Sequence, residues 1–180
     1  MGTIQVYITN SGETLENDCC IGKWIRLPIA EDCLTTILSN VFPNNEEAEI
    51  IITDYESAFS NLEITEFSNL TEVNKLAEAL ARLTDAEQDL LAAILECEVR
   101  LSVAEILEYI EQLNSFCLLR DVFDERSLGI CFAEEFGTFN DVPTHLHSYI
   151  DYAAYGNDIK LESSGLLTMF TSWGFLLDNR

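Results

Sequence analysis

The feature of this sequence that most constrains the fold is its many acidic residues, which are distributed along a chain that is rich in apolar residues. The 180 residues carry 32 Asp and Glu against nine Lys and Arg, a formal net charge of −23, while 48% of the residues are hydrophobic. The acids occur singly or in pairs from Glu13 to Asp178, between apolar residues, and not as a charged tail. Chains that stay unfolded combine high charge with low hydrophobicity. We therefore predict a folded protein with anionic charge over much of its surface.

This charge destabilises the compact state through self-repulsion, so a functional reason for it is expected. Duplex DNA carries one negative charge per ~1.7 Å of axis, so 23 charges correspond to roughly 39 Å of duplex, about one helical turn. The composition is compatible with imitation of a polyanion, and equally with an acidic surface that serves only solubility.

Direct nucleic-acid binding is excluded by the sign of the charge, because nine scattered cations cannot neutralise a track of phosphates. No apolar run approaches the roughly 20 residues that span a bilayer. The first residues, Met1 to Val6, lack the basic and apolar regions of a signal peptide. We expect a soluble, cytoplasmic protein that does not bind membranes.

The six cysteines predict neither a disulfide framework nor a zinc site. Cys19 and Cys20 are adjacent, the other four are widely separated, and no C-x-x-C motif is present. Zinc sites use close Cys or His pairs, and His145 and His147, the only histidines, lack a third ligand nearby. Most thiols are expected to be buried and free. We expect no metal and no cofactor.

Motifs of catalysis are missing from the sequence. It contains no G-x-S-x-G elbow, Walker-type glycine loop, G-x-G-x-x-G or H-E-x-x-H motif, and no EF-hand loop. Pairs of carboxylates arise by chance in so acidic a chain, so no glycosidase-like pair stands out. No feature singles out one cysteine as a nucleophile either. The sequence predicts a protein that is not an enzyme.

Hydrophobic periodicity predicts an α+β chain of three small, contiguous modules in one elongated body. The modules are an N-terminal α/β module (1–67) with a short antiparallel sheet, a central acidic helical module (68–116) and a C-terminal α+β module (117–180). In the first module, alternating or short apolar runs predict strands at 4–9, 22–27 and 49–53, and a helical stripe predicts a helix at 31–40.

The central module has the apolar stripes of several helices, the first formed by Leu70, Val73, Leu76, Leu80 and Leu83. It also has two capping boxes, Thr84-x-x-Glu87 and Ser102-x-x-Glu105. Its acids fall largely opposite the apolar stripes, as on any solvated helix face, but basic partners at i,i+4 are nearly missing. In the last module we predict a strand at 117–123, a helix at 127–136, a helix start near Pro143, and a hairpin formed by 166–170 and 173–177.

The segment from Phe136 to Asp158 resembles the C-terminal portion of the ArdA antirestriction proteins. That portion carries an acid, a Gly, a Pro a few residues on, then a Tyr-Ile-Asp-Tyr run followed by Ala-Tyr-Gly-x-Asp. The strands at 4–9 and 22–24 and the segment 52–56 also resemble the family's first domain. The matching motif residues are Glu135, Gly137, Pro143, Tyr149, Ile150, Asp151, Tyr152, Tyr155, Gly156 and Asp158.

The resemblance implies an elongated, three-module, dimeric mimic of bent B-form DNA. Such a protein would occupy the DNA-binding cleft of the specificity and methyltransferase subunits of a type I restriction–modification enzyme, and so protect incoming plasmid or transposon DNA. We assign the mimicry to twelve carboxylates, called here the acidic surface: Glu78, Asp85, Glu87, Asp89, Glu96, Glu98, Glu105, Glu108, Glu111, Asp121, Asp124 and Glu125.

The residues of the motif favour packing or dimer contacts over chemistry. Tyr149, Ile150, Tyr152 and Tyr155 form the apolar cluster best suited to a homodimer interface, and Asp151 and Asp158 are candidate mimic charges. Two other functions stay open. One is an acidic inhibitor or adaptor for another cationic DNA-binding protein, such as a nuclease or an anti-phage effector. The other, a carboxylate hydrolase, is the least supported.

Overall fold

The structure, a computed structural model of the chain, describes residues 4–10, 22–41, 50–59, 61–163 and 167–179. It contains helices and small antiparallel sheets, which confirms the α+β class. The helices are α1 (Glu31–Val41), α2 (Leu70–Arg82), α3 (Asp85–Glu96), α4 (Val103–Glu111), α5 (Glu125–Phe136) and α6 (Tyr152–Glu162), with short 3-10 helices at Leu113–Ser115 and Thr144–Tyr149. The strands are β1 (Ile4–Asn10), β2 (Gly22–Leu27), β3 (Ile50–Glu56), β4 (Phe116–Leu119), β5 (Met169–Thr171) and β6 (Gly174–Asp178).

The chain folds into two compact units, each described by itself below. The first unit contains residues 1–84 and 100–110, and the second contains residues 85–99 and 111–180. The predicted division into three modules stays a prediction. Within the described ranges, no helix is both long and apolar enough to cross a bilayer.

Three antiparallel strands form the sheet of the first unit, in the order β2-β1-β3. Side chains alternate between the two faces of β1, so Ile4, Val6 and Ile8 all point into the core, where they are fully buried. The three predicted strands and the helix at 31–40 are confirmed, although Glu49 lies outside the described residues.

Helix α2 packs its predicted apolar stripe into the core of the first unit, with Val73, Leu76 and Leu80 buried. Buried Asn74 lies on the same face of α2 and makes two hydrogen bonds with the backbone of the segment before α1. Its Oδ1 accepts from the Ile29 N–H at 2.8 Å and its Nδ2 donates to the Ile29 carbonyl at 2.9 Å. Because both amide atoms are paired, this polar group is buried without an unsatisfied donor or acceptor.

The second unit is built from a β4-β6-β5 antiparallel sheet and the helices that cover it. Its core joins Leu128 of α5, Ile159 of α6, Phe175 of β6 and Val122 from the loop after β4. The rings of Phe170 and Phe175 lie 4.8 Å apart across the predicted hairpin, which is confirmed as β5 and β6. Leu166, placed in that hairpin from sequence, lies outside the described residues.

Two predicted boundaries in the second unit are wrong by a few residues. The strand predicted at 117–123 ends at Leu119, because the chain turns at Asp121, whose φ of 63° is left-handed. The helix predicted to begin at residue 127 begins at Glu125. Asp124 forms its N-cap by accepting the Ser127 N–H at 2.7 Å, a capping box that the sequence contains.

The expectation of buried thiols is wrong for the described cysteines. Cys33 and Cys117 are exposed, and Cys97 and Cys131 are half-buried, all four free. The inward positions are taken by their neighbours: Leu34 on α1 is buried, and Phe116 is the buried residue beside Cys117 on β4. Cys19 and Cys20 lie outside the described residues.

Candidate functional site

All twelve carboxylates of the acidic surface reach solvent, since none of them is buried. Glu78, Glu105 and Glu108 belong to the first unit, and the other nine belong to the second, which also contains the whole motif from Glu135 to Asp158. The structure therefore brings most of the predicted functional residues into one unit.

The negative charge is shared almost equally between the units. By sequence, the first unit has sixteen carboxylates and five cations, a net −11, and the second has sixteen carboxylates and four cations, a net −12. Each unit is thus a strongly anionic body in its own right.

Ion pairs engage part of this charge within each unit. Arg120, for example, contacts Asp89 at 2.7 Å, with both side chains at least one-third exposed. Pairs exposed to this degree contribute little to stability. The ion pairs of the described residues are Arg82–Glu78 (3.6 Å), Arg100–Glu63 (3.3 Å), Arg120–Asp89 (2.7 Å) and Lys160–Glu125 (3.0 Å).

Several carboxylates of the acidic surface also have a structural task at a helix end. Glu105 accepts hydrogen bonds from the Ser102 N–H at 2.8 Å and the Ser102 Oγ at 2.6 Å, which confirms the predicted capping box. The bond from the Ser102 side chain lowers the pKa of Glu105, and the Ser127 N–H likewise lowers the pKa of Asp124. A lowered pKa keeps both groups ionised, and the stability that they add is lost only as the pH falls through the lowered value.

Glu96 fixes the turn of the β5–β6 hairpin from the far end of α3. Its carboxylate accepts the Ser172 N–H at 2.9 and 3.1 Å and the Ser172 Oγ at 2.5 Å. Sequence reasoning assigned Glu96 to the acidic surface and missed this contact, because the two residues are 76 positions apart. Glu96, Glu105 and Asp124 of the acidic surface therefore also hold parts of the fold.

The motif residues occupy the connection between α5 and α6 and the start of α6. Gly137 ends α5 in the left-handed conformation, with φ of 62°, and Pro143 precedes the 3-10 helix, as predicted for a helix start. Asp151 is the N-cap of α6, where its Oδ1 accepts the Ala154 N–H at 3.0 Å. Exposed Asp151 therefore has a local role in addition to its charge.

Two of the four candidate dimer residues pack within the second unit. The Phe139 ring meets the Tyr152 ring edge-on at 5.8 Å and the Tyr155 ring at 5.4 Å. The Tyr155 hydroxyl also lies 3.1 Å from Thr138 Oγ1. Tyr149, in contrast, is 83% exposed. Of the four, it is the side chain most available to a second copy of the chain.

Two glycines let α5 and α6 touch through their backbones. A Cβ added at Gly156 would fall far inside van der Waals contact of the Glu125 carbonyl oxygen, and one at Gly129 would meet the Tyr152 carbonyl oxygen in the same way. Only glycine fits such an approach. Gly156 was assigned from the family motif, whereas Gly129 has no sequence signal of its own.

In the part of the chain that the structure describes, no group of three or more His, Cys, Asp or Glu side chains could hold a metal ion. His147 uses its Nε2 in a 2.9 Å hydrogen bond with the Val142 carbonyl. Burial and the carboxylates of Glu96 and Glu98 raise the pKa of Cys97 to about 11, so this thiol stays protonated at neutral pH.

These features define an anionic α+β protein whose carboxylates hold helix ends and face solvent. The family model described as "Antirestriction protein (ArdA)" matches residues 6–172, nearly the whole chain. The chain belongs to the ArdA family of antirestriction proteins. Membership implies an antirestriction function and interaction with restriction–modification enzymes. A search of curated proteins found no match.

Proposed function

We propose that the protein is a mimic of B-form DNA that occupies the DNA-binding cleft of a type I restriction–modification enzyme. It would thereby block restriction of incoming mobile DNA. The proposal is supported above all by one observation: twelve carboxylates from several elements all reach solvent in a body with a net charge of −23.

A cleft that binds DNA is lined with cations, and carboxylates can release the same counterions that phosphates release. Arg side chains of the cleft can also pair with carboxylates in forked, two-bond geometry. The two units have net charges of −11 and −12, so each of them presents an anionic surface. No cofactor is needed for this mode of inhibition, because it consists of occupying a site.

The alternative partner is another cationic DNA-binding protein, such as a nuclease or an anti-phage effector. The same charge favours it, since complementarity of charge steers association without specifying one partner. Family membership favours the restriction–modification enzyme.

The first prediction concerns competition for the enzyme. The purified chain is expected to displace a fluorescent duplex with the recognition site from a type I methyltransferase at low micromolar concentration, measured by anisotropy. Polyglutamate of equal charge serves as the control and is expected to displace far less, because it lacks the fixed geometry. Displacement from a nuclease but not from the type I enzyme would favour the alternative partner, and displacement from neither would contradict mimicry.

We also propose that the working unit is a homodimer joined through the C-terminal part of the chain. A charge of −23 corresponds to only about one turn of duplex, and a two-fold dimer doubles that length. So acidic a body needs an uncharged patch where two copies can touch, and Tyr149 with Ile150 offers one.

The second prediction tests this interface. Tyr149→Asp is expected to give a folded monomer by sedimentation, because it places a charge where two copies would meet. Val99→Asp is the matched control, since Val99 is 87% exposed and outside the motif, and it should leave the dimer intact. A wild-type chain that is monomeric at micromolar concentration and still inhibits fully would contradict the dimer.

A further inference from the structure

A cavity of about 570 Å³ opens in the second unit between the loop after β4 and helix α5. Two apolar residues line it, Val122, which is 5% exposed, and half-buried Ile130. Three acidic residues, Asp121, Glu134 and Glu135, line it as well, and all three are exposed. Cavities of this volume hold small ligands, so there is room here for one long side chain.

The carboxylates that line the cavity differ from the structural ones described above. Among the described residues, no side-chain hydrogen bond or ion pair engages Asp121, Glu134 or Glu135. Glu134 and Glu135 lie in the last turn of α5, which holds no basic residue, so their charges face the negative end of the helix dipole. The fold thus keeps two carboxylates at positions where their charge is unfavourable.

The other groups that line the cavity leave it anionic. Arg120 is on the wall, but its guanidinium contacts Asp89 at 2.7 Å. Burial, Glu135 and Glu134 raise the pKa of the Cys131 thiol, so it adds no negative charge and is a weak nucleophile. The lining of the cavity therefore combines apolar residues with three carboxylates that no cation of the described residues pairs with.

We propose that this cavity receives an arginine side chain from the DNA-binding cleft of the partner enzyme. The aliphatic stem would pack on Val122 and Ile130, and the guanidinium would reach the carboxylates of Glu134, Glu135 and Asp121. Arginine fits because it has a long apolar stem and a planar head that pairs with carboxylates through two bonds. This inference rests on the proposed function, and it adds one specific receptor to an otherwise distributed anionic surface.

The first test needs no partner enzyme. Acetyl-arginine amide is titrated into the full chain and followed by methyl and amide NMR, with acetyl-citrulline amide, which is uncharged and nearly isosteric, as the control. Saturable shifts confined to residues around Ile130 are expected with arginine and not with citrulline. Absence of such shifts, or equal shifts with both probes, would overturn the proposal.

The second test uses displacement of DNA from the type I enzyme. Glu134→Gln with Glu135→Gln is compared with Asp141→Asn with Glu162→Gln, which removes two exposed charges from the second unit outside the acidic surface and the cavity. The cavity pair is expected to weaken displacement by about tenfold more than the control pair, because it removes the carboxylates that pair with the arginine head group and not only net charge. Its melting temperature should not fall, since carboxylates at a helix C-terminus are unfavourable.

A pocket-filling variant, Ile130→Trp, keeps the charge unchanged and should also weaken displacement. If it does not fold, the carboxylate pair decides the question alone. Equal loss in the cavity and control pairs would overturn the arginine site while the wild type still competes, which leaves the proposed function standing. Arginine binding by a wild type that displaces no DNA from the enzyme would instead overturn the proposed partner.

Discussion

Replacing Gly156 with Ala is expected to lower the free energy of unfolding by about 3 kcal/mol, at the upper end of the usual cost of overpacking. The new methyl group would be forced against the Glu125 carbonyl oxygen, which is backbone and cannot rotate away. Helix propensity alone predicts the opposite sign, a gain of about 1 kcal/mol for Ala over Gly. Urea unfolding followed by circular dichroism measures the sign and size directly.

Ala153→Ser is a suitable control, because it adds one heavy atom at an exposed position of the same helix. It should change stability by no more than about 0.5 kcal/mol, as surface substitutions usually do. Gly129→Ala should behave like Gly156→Ala, since its Cβ would meet the Tyr152 carbonyl oxygen. Stability equal to or above wild type in both glycine variants would show that α5 and α6 are not in backbone contact.

Reversing four carboxylates together is expected to weaken displacement of DNA from the type I enzyme by about 1,000-fold, or about 4 kcal/mol. Suitable positions are exposed: Asp85 in the first turn of α3, Glu108 and Glu111 in α4, and Asp158 in α6. Changing all four to Lys takes the net charge from −23 to −15, a change of two charges at each site. Each reversal replaces an attraction to a cationic cleft with a repulsion, so the losses accumulate.

The matching single reversals should each cost only about 1 kcal/mol, because solvent screens individual exposed charges. The fourfold variant should stay within about 1 kcal/mol of the stability of wild type, because relief of self-repulsion offsets the loss of Asp85 from the positive end of α3. Added salt should also weaken displacement of DNA, because it screens the attraction to the cleft. It should raise the melting temperature of the protein, because it screens self-repulsion. Complete loss of inhibition on changing one of these carboxylates would point to catalysis and contradict an action by surface charge.

Local patterns in the sequence predicted most of the secondary structure. The stripe of Val73, Leu76 and Leu80 marked the buried face of α2, and Ser102 with Glu105 marked the start of α4. These features depend on residues a few positions apart, so periodicity and capping chemistry suffice to find them. The errors occurred where one residue decided a boundary, as Asp121 does at the end of β4.

The contacts that join distant segments, in the core and in the candidate site, were not visible in the sequence. Glu96 meets Ser172 across 76 positions, and Asn74 meets Ile29 across 45. Neither pair has a motif, because any exposed acid or buried amide could have found a different partner. The cavity beside α5 likewise exists only because the loop after β4 lies against that helix.

The sequence by itself determined the anionic character, the α+β class and the motif that marks the ArdA family, since charge, periodicity and local spacing are properties of the chain. Only the tertiary structure decided which carboxylates hold helix ends and which stand free. It also decided that Gly129 and Gly156 meet, and that Tyr152 and Tyr155 pack on Phe139 while Tyr149 remains exposed. The physical reason is that burial and pairing depend on how distant segments pack, and a carboxylate's sequence neighbours do not fix its partner in space.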